Sequence, residues 1–182
     1  MITVSHNIFI EAPVERVFAL MADPAARSAL SPQARPIQVE IEGGESLRVG
    51  SVCHFRLQMD NRIVDYHTCV CEFAPNRLIV SVSDTAVPFQ IRLETRPEGD
   101  GTRLAQTEEF EPTDEMLCQA LPPTLANMVM EKIYWLLPFL DPDYAERVQR
   151  EREEALANRL GGNLERWLAA IKRHLESDRD RT

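Results

Sequence analysis

An α+β fold, in which a curved seven-stranded antiparallel sheet wraps around a long C-terminal helix, is what this sequence predicts. Three features carry the prediction. Residues 2–10 alternate as a strand and run into a proline-led helix start. Alternating segments then dominate residues 37–111, and leucines spaced four and three apart stripe residues 156–175. Strands joined by short turns pair antiparallel, and a sheet with one apolar face must bury it against another element. The final helix supplies that element, after a helical insert over residues 113–143.

Each element follows from local chemistry. In residues 2–10, Val4, His6, Ile8 and Ile10 fall on one side, the period of a half-buried strand. Ala12-Pro13 stops it. Proline at the first helical position loses no internal hydrogen bond, so Pro13 is expected to open a helix carrying Val14, Val17, Phe18 and Met21. Asp23-Pro24 starts a second short helix, to about Leu30, and Ser31-Pro32 and Pro36 mark its exit. Residues 37–41 alternate up to Gly43-Gly44. Residues 49–59 place Val49, Cys53, Phe55, Leu57 and Met59 on one face.

Asp60-Asn61 has turn chemistry, and a second alternating run, 63–73, follows it. A two-residue turn there sets Phe55 opposite Tyr66 and Leu57 opposite Val64. On the other face it pairs His54 with His67 and Arg56 with Asp65. A slip of one residue would turn every side chain over. Residues 78–83 and 87–93 are further strands, and the turn at 98–101 returns the chain into a strand over 102–111.

After Pro112 the character changes. Residues 116–121 read as a short helix, Pro122-Pro123 breaks it, and 124–137 form a strongly apolar helix stopped by Pro138. Asp141-Pro142 caps the last helix. That helix is highly charged up to Glu154, and then Leu156, Leu160, Leu164, Leu168, Ile171 and Leu175 recur on one side. The stripe passes through Gly161-Gly162, which cost about 1 kcal/mol each relative to alanine in a helix. Their expected use is to make room for a ligand or the insert against the final helix, or to kink it.

The totals bound the function. A chain of 182 residues, 44% hydrophobic and 27% charged, suits one domain over residues 1–182, with 177–182 a frayed tail. A net charge of −9 disfavours nucleic acid, whose phosphates need a basic face, and equally an anionic membrane. No stretch reaches the ~18 apolar residues of a membrane span. The start has no basic segment followed by an apolar run, so no secretory signal is expected. Four cysteines (Cys53, Cys69, Cys71, Cys118) are too few for a disulfide framework and read as reduced thiols in a cytoplasmic protein.

The order strand, two short helices, six strands and terminal helix resembles the START/Bet v 1-like superfamily (SRPBCC). That superfamily includes bacterial polyketide cyclase/dehydrase and lipid-transport proteins. The matching stretches are Ile8-x-Ile10-x-Ala12-Pro13-Val14-Glu15-Arg16-Val17-Phe18 with Asp23, and Arg48-Val49-Gly50-Ser51. Glu72-Phe73-Ala74-Pro75-Asn76-Arg77-Leu78, Gly101-Thr102-Arg103-Leu104 and Leu164-Glu165-Arg166-Trp167-Leu168 complete them. The resemblance implies the helix-grip fold and a cavity between sheet and final helix. The long insert departs from the many relatives in which the last strand runs almost directly into that helix.

On this reading Phe55, Leu57, Tyr66, Phe89, Ile91, Leu104 and Phe110 line the concave face, and Leu160, Leu164 and Trp167 close it. Gln106 and Glu108 alternate with Leu104 and Phe110 and should point inward too. A carboxyl buried there has a raised pKa and could act as an acid or orient a ligand hydroxyl, which makes Glu108 the one candidate catalytic group. His54, His67 and Cys69 share the outer face of a flat hairpin, whereas zinc wants a tetrahedral array, so no metal is expected. Cys53 and Cys118 have no sequence-local base to activate them, and no cofactor is expected.

The apolar insert over 124–140 has three open uses: a lid over the pocket, a homodimer interface, or extra core. The leading function is binding of a small apolar molecule (lipid, polyketide or isoprenoid-like) between the sheet and the C-terminal helix. The alternative is a cyclase/dehydrase-type enzyme using an inward acid/base group. A weaker one is an interaction module docking a protein partner through 124–140.

Overall fold

Strand β1 (Ile2–Ile10) buries Ile2, Val4 and Ile10 and exposes Thr3, Ser5 and Asn7, the alternation read from the sequence. The computed structural model describes residues 1–120 and 142–177. The helix expected over 124–137, the apolar insert over 124–140 with its three uses, and most of the tail lie outside the described residues.

Helix α1 (Val14–Met21) begins one residue later than expected. Pro13 precedes it with ψ of 147°, because the proline ring fixes only φ, and that φ suits an extended residue as well as a helical one. Val17, Phe18 and Met21 are its buried face. Helix α2 (Pro24–Ala29) starts as predicted, with the Asp23 side chain accepting from the Ala26 N–H at 2.9 Å.

The remaining strands are β2 (Arg35–Ile41), β3 (Val52–Met59), β4 (Arg62–Ala74), β5 (Leu78–Ser83), β6 (Phe89–Glu98) and β7 (Gly101–Phe110). They form one antiparallel sheet in the order β1-β7-β6-β5-β4-β3-β2. Strand β3 starts at Val52 rather than at 49. The Ser51 N–H bonds the Arg48 carbonyl at 3.0 Å and Gly50 takes a φ of 84°, so a tight turn interrupts the strand and leaves Val49 exposed, while Gly50 and Ser51 still bond Val70 of β4. The β3–β4 hairpin has the predicted register, with Phe55 opposite Tyr66, Leu57 opposite Val64, His54 opposite His67 and Arg56 opposite Asp65. Asp60 sits in the turn at φ 50°, a conformation that Asp tolerates better than most residues.

Helix α3 (Asp114–Ala120) follows the sheet, and α4 (Pro142–Ser177) is the long C-terminal helix, running without a break through Gly161-Gly162. Leu156, Leu164, Leu168, Ile171 and Leu175 are its buried stripe. Leu168 and Ile171 have no exposed surface, and burying side chains of that size contributes roughly 1.5–3 kcal/mol each. Helix α4 packs along β1, and polar bonds fasten its end there. The Lys172 ammonium donates to the Phe9 carbonyl at 2.7 Å, and the Glu176 carboxylate accepts from the Glu11 N–H at 2.9 Å. The sheet therefore curves around a helix fixed at one end. Among the described residues no helix is long and apolar enough to cross a membrane.

Candidate functional site

Toward the other end of α4, sheet and helix stand apart. The wall is built by the alternation of five neighbouring strands, β3 to β7. Phe55 and Leu57 of β3, Tyr66 and Thr68 of β4, and Ser81 of β5 all point into the concave side, as do Phe89, Ile91 and Leu93 of β6 and Gln106 and Glu108 of β7. Leu160, Asn163, Leu164 and Trp167 of α4 face them. Arg27, Ser28, Ser31, Gln33 and Ala34, from α2 and the segment after it, form the third side. Together these residues line a concavity of about 340 Å³, at the lower end of the range for small-molecule sites.

Its aromatic lining is ordered. The Tyr66 ring stacks on Phe55 with centroids 5.2 Å apart, and meets Phe89 edge to face at 5.6 Å. Gln33 ties the third side to the helix by donating its amide to the Asn163 carbonyl at 3.1 Å.

Polar groups interrupt this lining at two places. At one, the Gln106 amide donates to Glu108 Oε1 at 2.6 Å. The Gln106 carbonyl oxygen is buried without a hydrogen-bond partner among the described residues. Burial pushes the Glu108 carboxyl above its ordinary range, and the Gln106 hydrogen bond pulls it partly back. At the other place is Arg27, only 9% exposed. It donates to the Met21 carbonyl at 2.9 Å and lies 5.9 Å from the Phe55 ring centroid. Burial pulls its guanidinium below the ordinary value, against weaker opposing effects from Cys53, Tyr66 and Asp23. The Tyr66 phenol is raised by burial and lies within electrostatic reach of both Arg27, which lowers it, and Glu108, which raises it.

Every sequence-selected pocket residue except Leu104 and Phe110 lines this concavity: Phe55, Leu57, Tyr66, Phe89, Ile91, Gln106, Glu108, Leu160, Leu164 and Trp167. Phe110 ends β7 opposite Ile2 and Phe89 and is buried in the core instead. Leu104 is likewise wholly buried, opposite Ile8. Sequence reasoning missed the α2 side, Arg27 above all, because an arginine in a six-residue helix looks like any surface arginine. Gly161 and Gly162 are not in the lining. They border a shallow groove with Thr3, Val4, Ser5 and His6 on the β1 side, so they make no room in this concavity.

Elsewhere the chemistry is thinner. A broader cleft of about 860 Å³ runs from the start of α2 to the β2–β3 connection, lined by Glu40, Glu42, Glu45, Gly43 and Gly44. It has no aromatic wall apart from Phe73. On the convex face His54 stacks on His67 at 4.7 Å, and His54 Nε2 lies 2.7 Å from Asp65. Asp65 is thus closer to His54 than to Arg56, which stands 3.8 Å away. Among the described residues no group of three or more His, Cys, Asp or Glu is arranged to hold a metal ion. Cys53, Cys69 and Cys71 are free thiols.

The comparison with known proteins bears on this geometry. Residues 1–133 match the model of a family described as polyketide cyclase / dehydrase and lipid transport. The chain belongs to that family. Among solved structures, the family member resembles a polyketide-cyclase-like protein of Corynebacterium glutamicum at 21% identity and a TM-score of 0.54, over 97% of this chain and 92% of that one. It also resembles a protein of Chromobacterium violaceum at 18% identity and a TM-score of 0.52, over 86% and 98% of the two chains. At such identities the likeness shows the fold alone, and that fold is the helix grip. No curated protein matches the chain.

Proposed function

We propose that the protein binds a small, largely apolar molecule of lipid, polyketide or isoprenoid type between the sheet and α4. The supporting observation is the stacked Phe55–Tyr66–Phe89 wall, which faces a concavity when it could have been packed over. Apolar lining with a few convergent polar groups is how small-molecule sites are built. Membership of a cyclase/dehydrase and lipid-transport family agrees with it. Native mass spectrometry of freshly purified protein tests the reading. An adduct of a few hundred daltons, lost on denaturation, is expected. Failure of any apolar probe to bind the purified protein would reject it.

Glu108 favours a second reading, a cyclase-type activity. A carboxyl whose hold on its proton is strengthened by burial can give that proton to a carbonyl oxygen as an enol carbon closes on the carbonyl, and regain one from the enol hydroxyl as it becomes a ketone. On this reading Glu108→Gln abolishes turnover of a polyketone and leaves its affinity within a few-fold. Turnover that survives the substitution removes Glu108 from the chemistry.

A further inference from the structure

We propose that the ligand carries a carboxylate and that Arg27 is the residue that binds it. The inference rests on the pocket reading above and deepens it. A guanidinium has five N–H donors and a fixed positive charge, and burying it without an anion is costly. Arg27 is buried, yet its hydrogen-bond partner among the described residues is one backbone carbonyl, that of Met21. It forms no ion pair among them. Asp23, the acid whose charge it senses, is occupied in capping α2 through the Ala26 N–H. Glu108, the carboxyl in the same concavity, is bonded to Gln106 instead.

Arg27 is also the sole Lys, Arg or His among the described lining residues. The surface chemistry of a chain with net charge −9 repels anions, so any preference for them requires a local cation of this kind. Two N–H groups of one arginine face match the two oxygens of a carboxylate, and one positive charge balances one negative one. A phosphate monoester, at about −2, would keep an uncompensated charge in an apolar site. The Phe55 ring beneath the guanidinium and the apolar wall beyond it then hold the body of the molecule.

The test compares matched pairs on the full chain: decanoate with decan-1-ol, and 2-naphthoate with 2-naphthylmethanol, each titrated at pH 7.5 by calorimetry. The wild type is expected to bind at least one carboxylate about tenfold or more tighter than its alcohol. Arg27→Met is expected to bring the pair to parity while leaving the alcohol within a few-fold. Equal binding of carboxylate and alcohol by the wild type overturns the assignment and leaves the container reading standing. A preference that persists in Arg27→Met overturns it as well, and failure of all four probes to bind overturns both readings. Should Arg27→Met not fold, the wild-type Arg27 Nε–Hε resonance decides. It is expected to shift with 2-naphthoate and not with 2-naphthylmethanol, and no difference between them rejects the contact.

Discussion

Thr102 shows what one buried polar atom does in this molecule. It has no exposed surface, and its hydroxyl donates to the Ala12 carbonyl at 2.7 Å, tying the β6–β7 turn to the β1–α1 junction. Thr102→Val keeps the shape and orphans that carbonyl, at a cost of about 1–3 kcal/mol in chemical denaturation. Glu108 makes the opposite case. Its folded pKa is raised, so the ionised carboxylate weakens the fold above that pKa, and the penalty fades as pH falls through it. Glu108→Gln is therefore expected to raise the melting temperature near about pH 8, with the gain shrinking toward about pH 4.5. A gain that is equal at both pH values would mean that ionised burial is not the cause. The inward aim of Glu108 was legible in the sequence, because period-two alternation fixes it relative to Leu104. The burial of Arg27 was not, because it depends on every segment packed around that side chain.

At the scale of elements, α4 and the β3–β4 hairpin were the most legible, and both for the same reason: their apolar periods are long and clean. The glycines of α4 neither break the helix nor line the concavity, and the room they were expected to leave for the insert falls outside the described residues. A Cβ on Gly161 would meet Val4 Cγ1 at 3.8 Å, ordinary contact, and one on Gly162 would meet Arg166 at 3.9 Å. Gly161→Ala and Gly162→Ala should therefore fold, and should gain up to about 1 kcal/mol each from helix propensity. Leu168→Ala, a few residues on and fully buried, should lose about 2–5 kcal/mol. A loss at either glycine would show that the space beside it is needed. Gly101 is different, since an added Cβ would run into the Ile10 carbonyl and the Phe9 ring, so there the absence of a side chain is structural.

For the whole molecule, the sheet order and the fastening of α4 along β1 leave one end of the grip packed and the other hollow. A ligand that binds only the folded state adds stability by mass action, about 2.7 kcal/mol at a hundredfold excess over Kd. Thermal unfolding across a ligand series should therefore show a melting temperature that climbs with the logarithm of concentration. A carboxylate of fitting shape should raise it more than its alcohol does. A flat response to every apolar compound would argue that the concave residues only pack against one another.

By itself the sequence determined the strands, most of their bounds, the β3–β4 register, the two-helix entry and the buried stripe of the last helix. Each of these rests on interactions between residues close along the chain or on a strict period, which composition and spacing express directly. The tertiary structure alone decided that β7 lies between β1 and β6, that Phe110 falls in the core, and that α2 supplies a third side of the concavity. It also decided that Arg27 is buried there without an ion pair among the described residues. Those facts depend on which distant segments meet, and the free energy that settles the matter, burial of shared surface and solvation of a charge, belongs to the assembled fold and to no single stretch of the chain.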